Sequence, residues 1–330
     1  MSDGNGHGRA PIEVFESPPQ PPRFEPEGLA RRYERQRRRS QVIALGLFGL
    51  TLVSTLAAGT QFAAAYANNQ APNFEEFLEG YVAIFNQPQL LLAGIPFSFT
   101  LIGILLAHEL GHYFACRYYS ISASYPYFIP APTLIGTLGA FIRIRSPIVN
   151  RKALFDVGLA GPVVGFLFAV PALAVAIAYS KQIPAAQASS QLAFADPLLS
   201  RLLIAWLHPG VSPADLLLHP VGRAAWVGLF ATALNLLPAG QFDGGHILYA
   251  LASERHRTVS FGVALLLLPM ARWLWGGWLV WAALILLLGF RHPPLLNRWE
   301  PLDGKRRVWA AIALLIFLLC FMPAPFTFRD

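Results

Sequence analysis

The chain has 330 residues, 55% of them hydrophobic and 13% charged, with a mean hydropathy of +0.47. That balance excludes an ordinary soluble domain and points to a protein that crosses a membrane several times. The net charge of +7 does not mark a nucleic-acid binder, because the arginines gather at the borders of apolar segments, as topology signals do.

Residues 1–40 contain SPPQPPRFEPEG and then the basic run RRYERQRRRS. Such a stretch cannot bury enough apolar surface to fold, so it is expected to be a disordered cytoplasmic tail whose arginines keep the N-terminus inside. No short apolar core with a cleavage site comes first, so no removable secretory signal is expected. The first span is expected at 41–64, and the loop that follows, to residue 91, holds Glu75, Glu76 and Glu79 without lysine or arginine, as an external loop does. The second span, 92–118, carries LLAHELGHYFA; the loop at 119–154 carries Arg143, Arg145, Arg151 and Lys152 and is placed inside. Further spans are expected at 155–179, 222–238 and 307–322, with two apolar runs at 259–271 and 273–290 separated by Arg272. Those two form either one long tilted helix or a hairpin. The hairpin is favoured because it keeps Arg255 and Arg257 on the same side as Arg291, Arg298, Lys305, Arg306 and Arg307.

Ionisable groups inside a span are costly and are kept mainly where they do something. His108 and His112 are four residues apart, so on a helix both imidazoles lie on one face, with Glu109 beside them. This is the zinc-peptidase arrangement, which needs two neutral imidazoles, an open coordination position for water and a nearby carboxylate to take the water's proton. A third protein ligand is then required. Glu254 belongs to the charged run SERHR, and Asp156 is explained as a helix N-cap. Asp243 lies in NLLPAGQFDGGH, where Asn235, Pro238, Gly240, Gly244 and Gly245 break the helix, a break tolerated at membrane depth where it lines a cavity. Cys116 reads as apolar filler, and with Cys320 as the only other cysteine there is no disulfide framework and no CxxC site. Gly161 and Gly165 read as a GxxxG helix-packing pair with no further role, and His208 and His219 are assigned none.

The paired motifs, HELGH from His108 to His112 and N-x-x-P followed by D-G from Asn235 to Gly244, resemble those of the site-2 proteases, which are intramembrane zinc metalloproteases. FIPAPTLIGTLGAFIRIRSP, from Phe128 to Pro147, resembles that family's re-entrant β-hairpin, and GLAGP, from Gly158 to Pro162, its glycine-rich helix start. The resemblance covers residues 92–254; Phe242 stands where the family commonly has leucine. It implies an all-α polytopic membrane protein of about six or seven spans with a small re-entrant β-hairpin between the second and third. With the apolar runs and charge bias, the chain is expected to divide into the tail at 1–40, a first span and external loop at 41–91, a catalytic core at 92–254 and C-terminal spans at 255–330. The resemblance further implies one Zn2+ per chain on His108, His112 and Asp243, with Glu109 as the general base that later protonates the leaving amine and Asn235 as a polar group near the substrate or oxyanion. His246, one turn beyond Asp243, is either a partner of the ligands or a residue facing the headgroups.

The expected function is therefore hydrolysis of peptide bonds in transmembrane substrates, membrane-anchored regulators among them, near the cytoplasmic face. The β-prone stretch Thr137 to Arg145 offers an edge on which an unwound substrate can lie as an added strand. No PDZ-like insertion fits between residues 180 and 221, and the layout is nearer the cyanobacterial and chloroplast branch. The expected location is a bacterial plasma membrane or, alternatively, a thylakoid or other internal membrane, with lipid as the constant partner, no nucleic acid and no oligomeric partner assigned. A metal-ion transporter or a catalytically silent membrane chaperone of the same fold are the alternatives.

Overall fold

The computed structural model describes residues 26–70, 81, 82, 84, 86–183, 192–288, 292, 295, 297 and 299–328. Residues 1–25 of the expected tail and the acidic positions Glu75, Glu76 and Glu79 lie outside the described residues. By internal contacts the chain divides into residues 1–39 and residues 40–330. Helix α1, Pro26–Ala67, begins inside the stretch expected to be tail.

The helices that follow are α2 (Ile95–Tyr118), entered through a 3-10 turn at Pro88–Gly94, α3 (Arg151–Ala178), α4 (Leu198–Leu207) and α5 (Pro220–Asn235), then α6 (Asp243–Trp273), α7 (Trp278–Leu288) and α8 (Gly304–Cys320). Among the described residues, three helical segments are long and apolar enough to cross a bilayer: Glu34–Ala67, Pro88–Tyr118 and Arg151–Ala178. Of the two apolar runs at 259–290, the first closes α6 and the second is mostly α7, and the two helices pack on each other across a short turn. α6 is itself broken at Ala252, where φ −147° and ψ 66° leave the helical region.

Local chemistry fixes the helix starts. Asn150 caps α3: its side-chain oxygen accepts the Ala153 N–H at 2.8 Å, so the cap is not Asp156, which lies a turn and a half inside. Asp156 instead ion-pairs with Arg306 at the start of α8 and accepts from the Tyr119 hydroxyl at the end of α2. Asp303 caps α8 through Arg306 N–H at 2.9 Å, and His219 caps α5 through Val221 N–H at 3.2 Å. Replacing Asn150 with alanine orphans a backbone donor at the mouth of the central helix. The expected loss is about 1 kcal/mol, read as a lower thermal unfolding midpoint in detergent.

α3 is the centre of the bundle, packing against α2, α4, α5, α6 and α8. One apolar cluster joins Leu154, Leu173 and Ile177 of α3 to Leu229 of α5 and Ile316 of α8. A second joins Phe62 of α1 and Phe97 and Leu101 of α2 to Trp226 of α5 and Trp278 of α7. Outward-facing Leu314, Leu315 and Leu318 of α8 are exposed, as lipid-facing side chains are.

Between α2 and α3, strands β1 (Tyr127–Pro130) and β2 (Thr137–Phe141) pair antiparallel, with Tyr127 opposite Phe141 and an irregularity between Phe128 and Pro130. The β-prone stretch expected to reach Arg145 ends as a strand at Phe141; beyond it, Ile144 makes a single bridge to Ala123. The sheet leans on α1, where Ser54 Oγ donates to Gly136 O at 2.6 Å and Phe48 meets the Phe128 ring at 5.3 Å. Gly136, at φ +82°, turns the chain so close to α1 that a Cβ would collide with the backbone of Ser54 and Thr55. Two further two-stranded sheets, of β3 (Lys181–Gln182) with β5 (Leu216–Leu217) and β4 (Leu192–Phe194) with β6 (Phe326–Phe328), close the opposite part of the chain.

Candidate metal centre

The two histidines of α2 are core residues in position, with His108 5% and His112 6% exposed, and Glu109 between them is 5% exposed. Small residues on α3 make room for them. A Cβ at Gly161 would sit inside the His112 ring, and one at Gly165 would come 3.1 Å from His108 Nδ1. Gly158 continues the same face toward α6, where its Cβ would lie 2.9 Å from His246 Cβ and 3.2 Å from Asp243 O. The pair read from sequence as helix packing is thus also a floor under the imidazoles: the spacing was legible, but what lay across it was not.

Asp243 is the first residue of α6, delivered by the loop at 236–242. That loop is held from within. Gly240 takes φ +58°, its carbonyl accepts from His256 Nε2 at 3.0 Å, and its N–H donates to Ser260 Oγ at 3.1 Å. The break at Ala252 lets α6 fold back far enough for His256 to make this contact. Gly244 and Gly245 have no room for side chains, since a Cβ on either would strike carbonyls of the loop itself.

His108 Nε2 lies 3.2 Å from Asp243 Oδ2, His112 Nε2 3.3 Å from the same oxygen, and the two imidazole nitrogens are 3.1 Å apart. Ligands about 2.0–2.1 Å from a tetrahedral metal are spaced by roughly 3.3 Å, so the triangle has the dimensions of three corners of such a site. The chemistry of the donors agrees. His112 Nδ1 donates to the Val157 carbonyl at 2.7 Å, which leaves Nε2 with a lone pair. That lone pair faces a carboxylate oxygen and a second imidazole nitrogen, an arrangement that needs a proton or a metal ion among them. Among the described residues, these three form the group able to hold a metal ion.

Glu109 does not join the triangle. It lines a cavity of about 190 Å³ with His108, His112, Asp243, Asn235, His246 and Ile142, the residue after β2. Asn235, the last residue of α5, brings its Nδ2 to 3.2 Å from His108 Nε2, so the five residues singled out in the sequence converge on one cavity. His246 lies at the cavity wall. Its Nδ1 is 2.8 Å from Nε2 of His292, a residue that sequence reasoning did not select. The signal that would have found it is weak: a histidine before Pro293 in the loop after α7. Cys116 is buried among Ile121, Ala153 and Val157, as an apolar filler is, and His208 bonds Ile177 O at 2.9 Å.

Residues 96–270 match the family described as peptidase family M50. The chain is similar to "Probable zinc metalloprotease EGY1, chloroplastic" of Arabidopsis thaliana, 33% identical over 294 residues that cover 86% of this chain and 53% of that protein. It is 30% identical to the protein of the same name from Oryza sativa subsp. japonica, over 86% of this chain and 50% of the relative. To "Probable zinc metalloprotease EGY2, chloroplastic" of Arabidopsis thaliana it is 29% identical over 75% of this chain and 45% of the relative. The chain spans about half the length of the curated relatives it matches.

Proposed function

Since this chain belongs to peptidase family M50, we propose that it is an intramembrane zinc metalloendopeptidase that cuts transmembrane segments of other membrane proteins. The observation that carries this reading is the triangle of His108, His112 and Asp243 with Glu109 in the same cavity, on a helix long enough to span a bilayer. His108, His112 and Asp243 would hold the zinc, which when bound supplies a Lewis acid for the carbonyl and lowers the pKa of water. Glu109 takes a proton from the attacking water as the new C–O bond forms, and passes it to the amide nitrogen as the C–N bond breaks, leaving a carboxylate and an amine. Asn235 offers an amide N–H beside the ligands, where the carbonyl oxygen gains negative charge. The edge of β2 offers an unwound substrate a strand to pair with, and Ile142, just after that strand, lines the cavity that holds the base.

The same reading takes residues 92–254 as the catalytic core, six or seven spans in all, the β1–β2 pair re-entering the membrane, and cleavage on the side that carries the N-terminus. A transport pathway is disfavoured because it needs successive sites, and among the described residues a single group of three ligands is present. The test is reconstitution in vesicles with a labelled single-span protein. Cleavage is expected with zinc, lost on chelation and restored on adding zinc back. Zinc flux without cleavage would overturn the reading in favour of transport.

A further inference from the structure

Beyond α7, His292 lies beside the metal centre, and the reaction set out above does not use it. His292 Nε2 is 2.8 Å from His246 Nδ1; its ring stacks on Tyr249 at 4.1 Å and 20°, and meets the edge of His256 at 5.7 Å. Tyr249 in turn meets His256 at 5.4 Å, and His256 holds the Gly240 carbonyl of the ligand loop. His292 is therefore fixed by two rings before it reaches His246.

His246 lies one turn after Asp243 and forms part of the cavity wall. With Nδ1 engaged by His292, Nε2 is the ring nitrogen left for the cavity. The hydrogen bond within the pair decides what that nitrogen can do. If His292 donates, His246 is held as the Nε2–H tautomer and is a donor; if His246 donates, its Nε2 carries a lone pair. Glu109 already supplies a base, and His108, His112 and Asp243 already supply acceptors. What peptide hydrolysis needs in addition is N–H groups aimed at the carbonyl oxygen as it becomes negative.

We propose that His292 is a positioning residue that donates to His246 Nδ1, and that His246 thereby presents Nε2–H to the carbonyl oxygen of the scissile bond. This rests on the protease reading above. It gives the C-terminal part of the chain a place in the reaction, since the residue that sets the tautomer lies outside the 96–270 stretch that matches the family.

The test uses the full chain with His292→Phe, which keeps a ring on Tyr249 but no nitrogen, His292→Gln, which restores an N–H, and His246→Phe. His292→Phe is expected to lower kcat by about tenfold or more and to change KM by less than about twofold, with zinc content and thermal midpoint as in the wild type; His246→Phe is expected to lose about a hundredfold. His292→Gln should recover most of the loss, and His292→Phe should add nothing in the His246→Phe background. Nitrogen-15 NMR of histidine-labelled protein reads the tautomer without any turnover: His246 should show protonated Nε2 in the wild type and lose that preference in His292→Phe. Unchanged kcat in His292→Phe, independent losses in the double variant, or an Nδ1–H tautomer of His246 would each overturn the proposal. A wild type that cleaves nothing would defeat the protease reading, and the nitrogen spectrum would still decide the tautomer.

Discussion

Glu109→Gln is expected to retain one zinc per chain and to lose about a thousandfold or more of kcat. The substitution keeps the size of the side chain, so the packing of the cavity wall beside Ile142 is kept. What it removes is the ability to carry a proton. The reaction needs that ability twice, first to take a proton from the attacking water and then to release it to the departing amine. General acid–base catalysis contributes about 10²–10⁴, and one group serving both steps places the loss toward the upper end. Because Glu109 is not among the three donors spaced at 3.1–3.3 Å, the metal should remain. Elemental analysis and cleavage of a labelled single-span substrate are measured on the same preparation. Cleavage within about tenfold of the wild type would remove Glu109 from the role of base.

Gly161→Ala has the second largest expected effect, and its direction runs against helix propensity. In the interior of a helix, alanine is favoured over glycine by about 1 kcal/mol. Here the new methyl group would occupy the position of the His112 ring, with Nε2, Cδ2 and Cε1 all too close for any real contact. Either the imidazole leaves its place or α2 and α3 part, which would open the close contact between Gly111 and the Ala160 carbonyl. The expected result is zinc binding weakened by about 10–100-fold, measured by competition with a chelator, and cleavage lost at limiting zinc. Gly103→Ala on the other side of α2 is the control. Nothing lies within 4 Å of a Cβ there, so metal binding and cleavage should be unchanged. Wild-type zinc affinity in Gly161→Ala would mean that α3 does not set the position of His112.

These two residues mark what could and could not be read from the sequence. HELGH was legible because its chemistry is local: a spacing of four fixes a shared helix face whatever surrounds it. Asp243 was legible because the glycines and proline that break the helix around it are themselves local signals. The service of Gly161 to His112 was not, because a glycine in an apolar helix says only that something comes close, and the partner sits on another helix. Asn150 was overlooked as the cap of α3 in favour of Asp156, because both residue types cap helices and the apolar run starts nearer the second. The break at Ala252 has no sequence signature, since alanine favours helix; it arises from tertiary packing, with His256 drawn to Gly240. His292 was hidden for the same reason, its partner lying 46 positions away.

The two cysteines are unpaired and buried, so no covalent bond braces the bundle. A metal held by His108 and Asp243 would join positions 135 residues apart and tie the second helix to the sixth across the one that lies between them. It would therefore act as a reversible cross-link as well as a reagent, with its binding energy counted in the assembly of the helices. The protease proposed above would loosen and lose activity together when stripped of metal, which would restrict peptide-bond cleavage to the assembled bundle.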